Sequence, residues 1–248
     1  MEIILGLTAA IGWGVADFCA RFGSRRIGAY RTLMYMQPFG IVAIPIYLTL
    51  TGGWSNFAGL GWRPWVFAAI AGLMNTLASL ALYYAFEIGT MSVAAPVSSA
   101  YPAVTVTLAL LSGERINAIR AAGLAVIFFG IILAALSFAP QSTHENAQSD
   151  SVSARVVRGA GWAFASAVGF GVMFWWLGFH VVKELGGPMS VWVVRVVMFL
   201  SLLIAAPIAR RNIALPTGGV WWTLTAIGLI DTTAFIANNS GKIGRAHV

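Results

Sequence analysis

Long apolar runs separated by short polar breaks dominate this chain. A helix needs about 20 residues to cross a hydrocarbon core about 30 Å thick. Eight runs approach that length, at residues 3–22, 31–51, 64–86, 91–111, 118–138, 159–181, 189–209 and 217–237. The breaks between them contain turn-forming residues, as in Gly52-Gly53 and Gly186-Gly187-Pro188. Because the runs are continuous and do not alternate, they predict membrane-spanning helices and not barrel strands.

The longest polar stretch divides these runs unequally. Pro140 to Arg158 has almost nothing to bury, which predicts a linker. Five runs precede it and three follow it. We therefore predict a first repeat at residues 1–139, a linker at 140–158 and an incomplete second repeat at 159–237.

A weak internal repeat relates the two sides of the linker. The matching segments, in the same order on both sides, are Gly12-Trp13-Gly14 with Gly169-Phe170-Gly171, Asn75-Thr76 with Asp231-Thr232, and more loosely Arg31 with Arg195. Since a unit of five spans is odd, a second copy must enter the membrane in the opposite direction. Inverted repeats of this kind are typical of secondary transporters, whose solute site lies near the midplane between the halves.

Composition supports a lipid-embedded chain and excludes several other classes. Hydrophobic residues make up 59% of the chain and charged residues 9%, whereas soluble domains have about 25% charged residues. The net charge of +7 comes from basic residues that punctuate apolar runs, which argues against a nucleic-acid partner. The single cysteine, Cys19, excludes an intrachain disulfide, and no motif for a metal or a cofactor is present.

Ionisable residues inside apolar runs are the first candidates for function, because each costs about 2.5–3.5 kcal/mol to insert. Asp17 is either a site residue or the partner of Arg21 at i,i+4. Arg31 and Arg195 are near run starts, so we expect their side chains to extend to the interface. Asp231 lies deeper and matches Asn75, so we predict a site residue. It would contact a cationic solute or carry a coupled proton.

Aromatic rings and prolines add a second set of candidates. Trp13 and Phe170 lie between matched glycines and could stack on a flat or cationic solute, although the glycines themselves favour close helix packing. Pro96 and Pro102 each remove a helical hydrogen bond, which predicts a kink in the fourth run.

Two other functions compete with transport. A multi-pass receptor or scaffold would also have apolar runs of this length. An intramembrane hydrolase would need a serine with a histidine base, and His180 is the one histidine within a run. Neither function requires an inverted repeat, so we expect a transporter and not an enzyme.

Residues 83–115 carry a resemblance to a known family. The segments Tyr83-Tyr84-Ala85-Phe86-Glu87-Ile88-Gly89, Ala94-Ala95-Pro96, Tyr101-Pro102-Ala103 and Ser112-Gly113-Glu114-Arg115 resemble the EamA family of the drug/metabolite transporter superfamily. The resemblance implies an all-α fold of ten helices in two inverted five-helix repeats. It also implies alternating-access transport, typically export, of small organic metabolites or drugs across the cell (inner) membrane.

The same resemblance leads to three further expectations. About eight of ten helices are present, and residues 238–248 read as an artefactual tail. Lysines and arginines place the N-terminus outside, whereas the family implies inside, which we follow. We expect partners to be the lipid bilayer and a small organic solute, with the oligomeric state left open. The candidate substrate-binding residues are Trp13, Asp17, Asn75, Tyr84, Ser98, Tyr101, Phe170 and Asp231.

Overall fold

Eight α-helices form the part of the chain that the computed structural model describes. That part comprises residues 2–54, 59–114, 121–123, 125–126, 129–130, 133 and 147–243, with side chains left undescribed at 2, 147–157 and 241–243. The helices are α1 (Glu2–Ile27), α2 (Ala29–Thr51), α3 (Arg63–Ile88), α4 (Met91–Ser98), α5 (Tyr101–Leu111), α6 (Ala147–His180), α7 (Val182–Ile208) and α8 (Val220–Ile243).

Seven segments of the described chain are long and apolar enough to cross a membrane. They correspond to seven of the eight predicted runs, with ends displaced by up to seven residues. The fifth predicted run, 118–138, falls largely outside the described residues. The all-α, multi-pass architecture expected from the apolar runs is confirmed.

The fourth span is interrupted between its two prolines. α4 ends at Ser98 and α5 begins at Tyr101, so Pro102 occupies the first turn of a new helix. Proline is tolerated there because that N–H has no helical partner. α7 has a similar interruption at Gly186, whose φ of 68° few other residues adopt.

The predicted linker and the predicted tail both overlap observed helices. α6 begins at Ala147, within the stretch predicted as a linker, while residues 140–146 are outside the described part. α8 continues past residue 237, and Asn239 is buried with its Nδ2 donating to Ser190 Oγ at 3.1 Å. The first residues assigned to the tail therefore pack within the bundle.

The chain forms two compact units that differ from the two sequence halves. Unit 1 combines Met1–Thr76 with Trp176–Val248, and unit 2 is Leu77–Trp175. Within unit 1, α1 packs along α8, α2 packs on α7 and α8, and α7 packs on α8. Helices from both sides of the polar stretch thus share one core.

Matched glycines make equivalent contacts in the two units. A Cβ added to Gly12 of α1 would lie 2.9 Å from Ala234 Cβ in α8, and one added to Gly169 of α6 would lie 2.9 Å from Ala78 Cβ in α3. Ala78 and Ala234 each lie three residues after the matched pair Asn75 and Asp231. The same packing therefore occurs twice, and in each case the first helix of one half contacts the third helix of the other.

Candidate functional site

Arg195 is buried inside the apolar span α7. Its side chain is 2% exposed, its Nη1 donates to Gln37 Oε1 at 2.8 Å, and its Nη2 donates to Asp231 Oδ2 at 2.5 Å. The expectation that Arg195 extends to the membrane interface was therefore wrong. A carboxylate and an amide on two other helices hold it inward, since a buried guanidinium needs such partners.

Two of the three guanidinium nitrogens of Arg195 have hydrogen-bond partners, and the third has none among the described residues. Gln37 is itself fixed, because its Nε2 donates to Leu33 O at 2.9 Å within α2. Arg195 Nε is buried without a hydrogen-bond partner. Asp231 is 23% exposed, so its carboxylate has an open side that Arg195 lacks.

Gly40 of α2 provides the room that the guanidinium occupies. A Cβ at this position would overlap Thr232 Oγ1 and lie 2.6 Å from Arg195 Cδ. Thr232 is the residue after Asp231, and its side chain is held in place because its Oγ1 donates to Gly228 O at 2.5 Å. Any larger residue at 40 would displace either Arg195 or Thr232.

Asp17 of α1 is the second carboxyl group near this pair. It interacts electrostatically with Asp231, and in the described structure it forms no ion pair with Arg21. Three ionisable groups from α1, α7 and α8 therefore share one region of unit 1. When all three are ionised, two carboxylates and one guanidinium leave one net negative charge.

Asn75 and Trp13, the other predicted residues of unit 1, contact its neighbouring helices. Asn75 is 7% exposed, and its Nδ2 lies 3.3 Å from Met198 Sδ. Met198 is three residues after Arg195, so Asn75 and Asp231 contact the same face of α7. The Trp13 ring lies 6.3 Å from that of Phe235, between α1 and α8.

The remaining four predicted residues lie in unit 2. The Tyr101 ring is 6.4 Å from Phe170 and 5.1 Å from Phe174, which makes a three-ring cluster of α5 and α6. Tyr84 packs edge-on against Trp162 at 5.2 Å, and Ser98 Oγ donates to Ala95 O in its own helix. Each of these four stays a prediction as a substrate contact.

The glycine contacts show which residue of the first half is equivalent to Arg195. A Cβ on Gly72 would meet Val194 O and Val197, whereas a Cβ on the matched Gly228 would meet Met36 O and Phe39. This register pairs Val194 with Met36, and therefore Arg195 with Gln37, in place of the looser match to Arg31. The two residues matched in this way hydrogen-bond each other.

Sequence reasoning missed Gln37 and gave Arg195 too little weight. One signal was present, because an arginine and an aspartate in two separate apolar spans each lower the cost of the other when they pair. Arg31 Nη2 donates to Ala214 O at 2.6 Å, in the segment between α7 and α8, and its extension to the interface stays a prediction.

Comparison with known proteins identifies the family to which this architecture belongs. Residues 1–136 match the EamA-like transporter family. An uncharacterized protein of Methanocaldococcus jannaschii is 31% identical over 136 residues, which is 54% of this chain and 96% of that protein. A solved crystal structure superposes with a TM-score of 0.63 at 20% identity, covering 97% of this chain and 78% of that one. The chain is therefore a multi-pass membrane protein that belongs to the EamA-like transporter family.

Proposed function

We propose that this protein moves small organic solutes, preferentially cationic ones, across the cell membrane by alternating access, in the direction of export. The observation that supports this most strongly is the buried Arg195–Asp231 ion pair with Asp17 beside it. Intramembrane ionisable residues are expensive and usually mark a substrate or ion pathway. Because the chain belongs to a family of transporters, we assign this pathway to a transported solute.

The charge balance of the cluster indicates the solute class. Arg195 compensates one carboxylate, so the second one, when ionised, would attract a cation from solution. A solute ammonium would contact Asp17 and the exposed side of the Asp231 carboxylate. Arg195, which Gln37 orients, would stay bound to the other side of that carboxylate. Asn75 adds a neutral amide contact on the same face of α7. A coupled proton on either carboxyl group is the alternative use of the same negative charge.

The repeat supports the alternating step. Gln37 and Arg195 are equivalent residues of the two halves and contact each other directly. In an inverted-repeat transporter the halves move relative to each other around a site at that meeting point. Breaking and remaking the Arg195–Asp231 pair would couple the occupied state of the site to that movement.

Equilibrium binding tests this assignment. Purified protein in detergent micelles should bind radiolabelled tetraphenylphosphonium, a permanent organic cation. Asp17→Asn should weaken that binding about tenfold, by analogy with the loss of one partly buried charge contact of about 1.4 kcal/mol. Glu184→Gln removes an exposed carboxylate in the first turn of α7, about three helical turns before Arg195, so it should bind like the wild type.

Two outcomes would contradict the proposal. One is binding that is unaffected by Asp17→Asn. The other is an equal loss in Glu184→Gln, which would indicate a general effect of surface charge. Tritiated benzoate, an organic anion, should not bind to the wild type above background.

A further inference from the structure

One end of unit 1 combines a cavity with clustered arginines. The cavity has a volume of about 260 Å³ and is lined by Phe22, Gly23, Arg25, Arg26, Val220 and Thr223. Arg25 and Arg26 form the last turn of α1, and Val220 begins α8. The cavity therefore lies between two spans where they leave the apolar region.

Further arginines belong to the same end of the unit. Arg31 of α2 donates to Ala214 O, and the Tyr35 hydroxyl donates to Ile213 O, which holds the start of α2 against the segment between α7 and α8. That segment contains Arg210 and Arg211. Neither residues 18–36 nor residues 208–223 include an aspartate or a glutamate. This end of unit 1 is therefore strongly positive.

Exposed apolar surface continues from the arginines along α1 toward the centre of the span. Phe22 is 55% exposed, and its ring packs edge-on against the exposed Phe18 at 5.1 Å. Phe18 and Phe22 are one helical turn apart, so they form a strip parallel to the helix axis. On α8, Trp222 is 82% exposed beside the cavity-lining residues, as interfacial tryptophans are.

We infer that the cavity bounded by Phe22, Arg25, Arg26 and Thr223 binds the phosphate headgroup of an anionic phospholipid. Two guanidinium groups and a hydroxyl suit a phosphodiester, since arginine donates to phosphate oxygens in a fork geometry. The Phe18–Phe22 strip would take an acyl chain. A phospholipid has both parts in this order, whereas free phosphate has no apolar part to place on the strip.

Native mass spectrometry of the full chain released from detergent tests this inference. Titration with dioleoyl phosphatidylglycerol should show one lipid retained in preference to dioleoyl phosphatidylcholine. The double variant Arg25→Gln, Arg26→Gln should lower phosphatidylglycerol affinity about tenfold or more, because both positive charges that would face the phosphate are lost. Arg63→Gln, at the start of α3 and the opposite end of unit 1, should leave it unchanged.

Two additional measurements distinguish lipid binding from misfolding of the glutamine variant and from binding of free phosphate. Arg25→Lys, Arg26→Lys keeps the charge and should retain at least part of the preference, which would show that loss in the glutamine variant is not misfolding. Millimolar inorganic phosphate should compete poorly. Equal retention of the two lipids by the wild type, full competition by inorganic phosphate, or unchanged phosphatidylglycerol affinity in the glutamine double variant would overturn the inference.

Discussion

Arg195 places a positive charge inside an apolar span, and three neighbouring residues make that position tolerable. Asp231 supplies the opposite charge, Gln37 accepts a second hydrogen bond, and Gly40 leaves the space. In a low-dielectric interior, an ion pair loses much of its net benefit to desolvation, but an unpaired charge costs more. The arrangement is thus easier to explain by function than by stability.

This reasoning predicts the result of a double-mutant cycle on the ion pair. Arg195→Gln and Asp231→Asn should each destabilise the protein by about 3–5 kcal/mol, because each leaves one buried charge unpaired. The double variant should lose less than the sum of the two, since no charge remains. Thermal unfolding followed by tryptophan fluorescence in detergent measures all four proteins, and additive losses would show that the two side chains do not depend on each other.

At the scale of helices, glycines determine how closely the spans approach. Gly12 against Ala234 and Gly169 against Ala78 bring helix backbones together twice in the same way. Small residues at such crossings are typical of membrane helices, where close packing replaces the hydrophobic effect between spans. Gly14 borders the same Trp13, but a Cβ added to it would meet no described atom within 4 Å, so Gly14 does not contribute to this contact.

Alanine substitutions distinguish these glycines. Gly12→Ala and Gly169→Ala should each destabilise the fold by about 1–3 kcal/mol, because the new methyl group would overpack a neighbouring helix. Gly14→Ala should be neutral or slightly stabilising, since alanine favours helix by up to about 1 kcal/mol. Denaturation in detergent compares the three variants. A loss in Gly14→Ala as large as in Gly12→Ala would exclude the packing explanation.

The sequence predicted most helices at this scale because length and apolar character suffice to identify a span. It predicted the ends less well. α6 extends back to Ala147 and α8 continues beyond residue 237, since polar residues such as Asn239 can be helical once a neighbour such as Ser190 accepts their hydrogen bonds. The loose match of Arg31 to Arg195 was misleading for a related reason, because register within a span depends on contacts that single residues do not reveal.

The whole molecule has two compact units that each combine both sides of the polar stretch. Helices α1, α2, α7 and α8 form unit 1, together with the first part of α3 and the end of α6. The Asp17, Arg195 and Asp231 cluster belongs entirely to unit 1, so its assembly requires segments that are far apart in the chain. Residue type selected Asp17, and depth within the run and the match to Asn75 selected Asp231, but their proximity could not be predicted without knowing how the helices pack.

Net transport in reconstituted vesicles tests the central claim most directly. The protein is reconstituted in proteoliposomes loaded with ethidium, a planar organic cation, and efflux is followed by fluorescence at about pH 6, 7 and 8. The wild type should release ethidium faster than protein-free vesicles. With each rate normalised to the amount of folded protein in the vesicles, Asp231→Asn should abolish net efflux at every pH, whereas Asn75→Ala should mainly raise the half-saturating concentration. Wild-type efflux by the Asp231→Asn protein would remove this carboxylate, and the ion pair it forms with Arg195, from the mechanism.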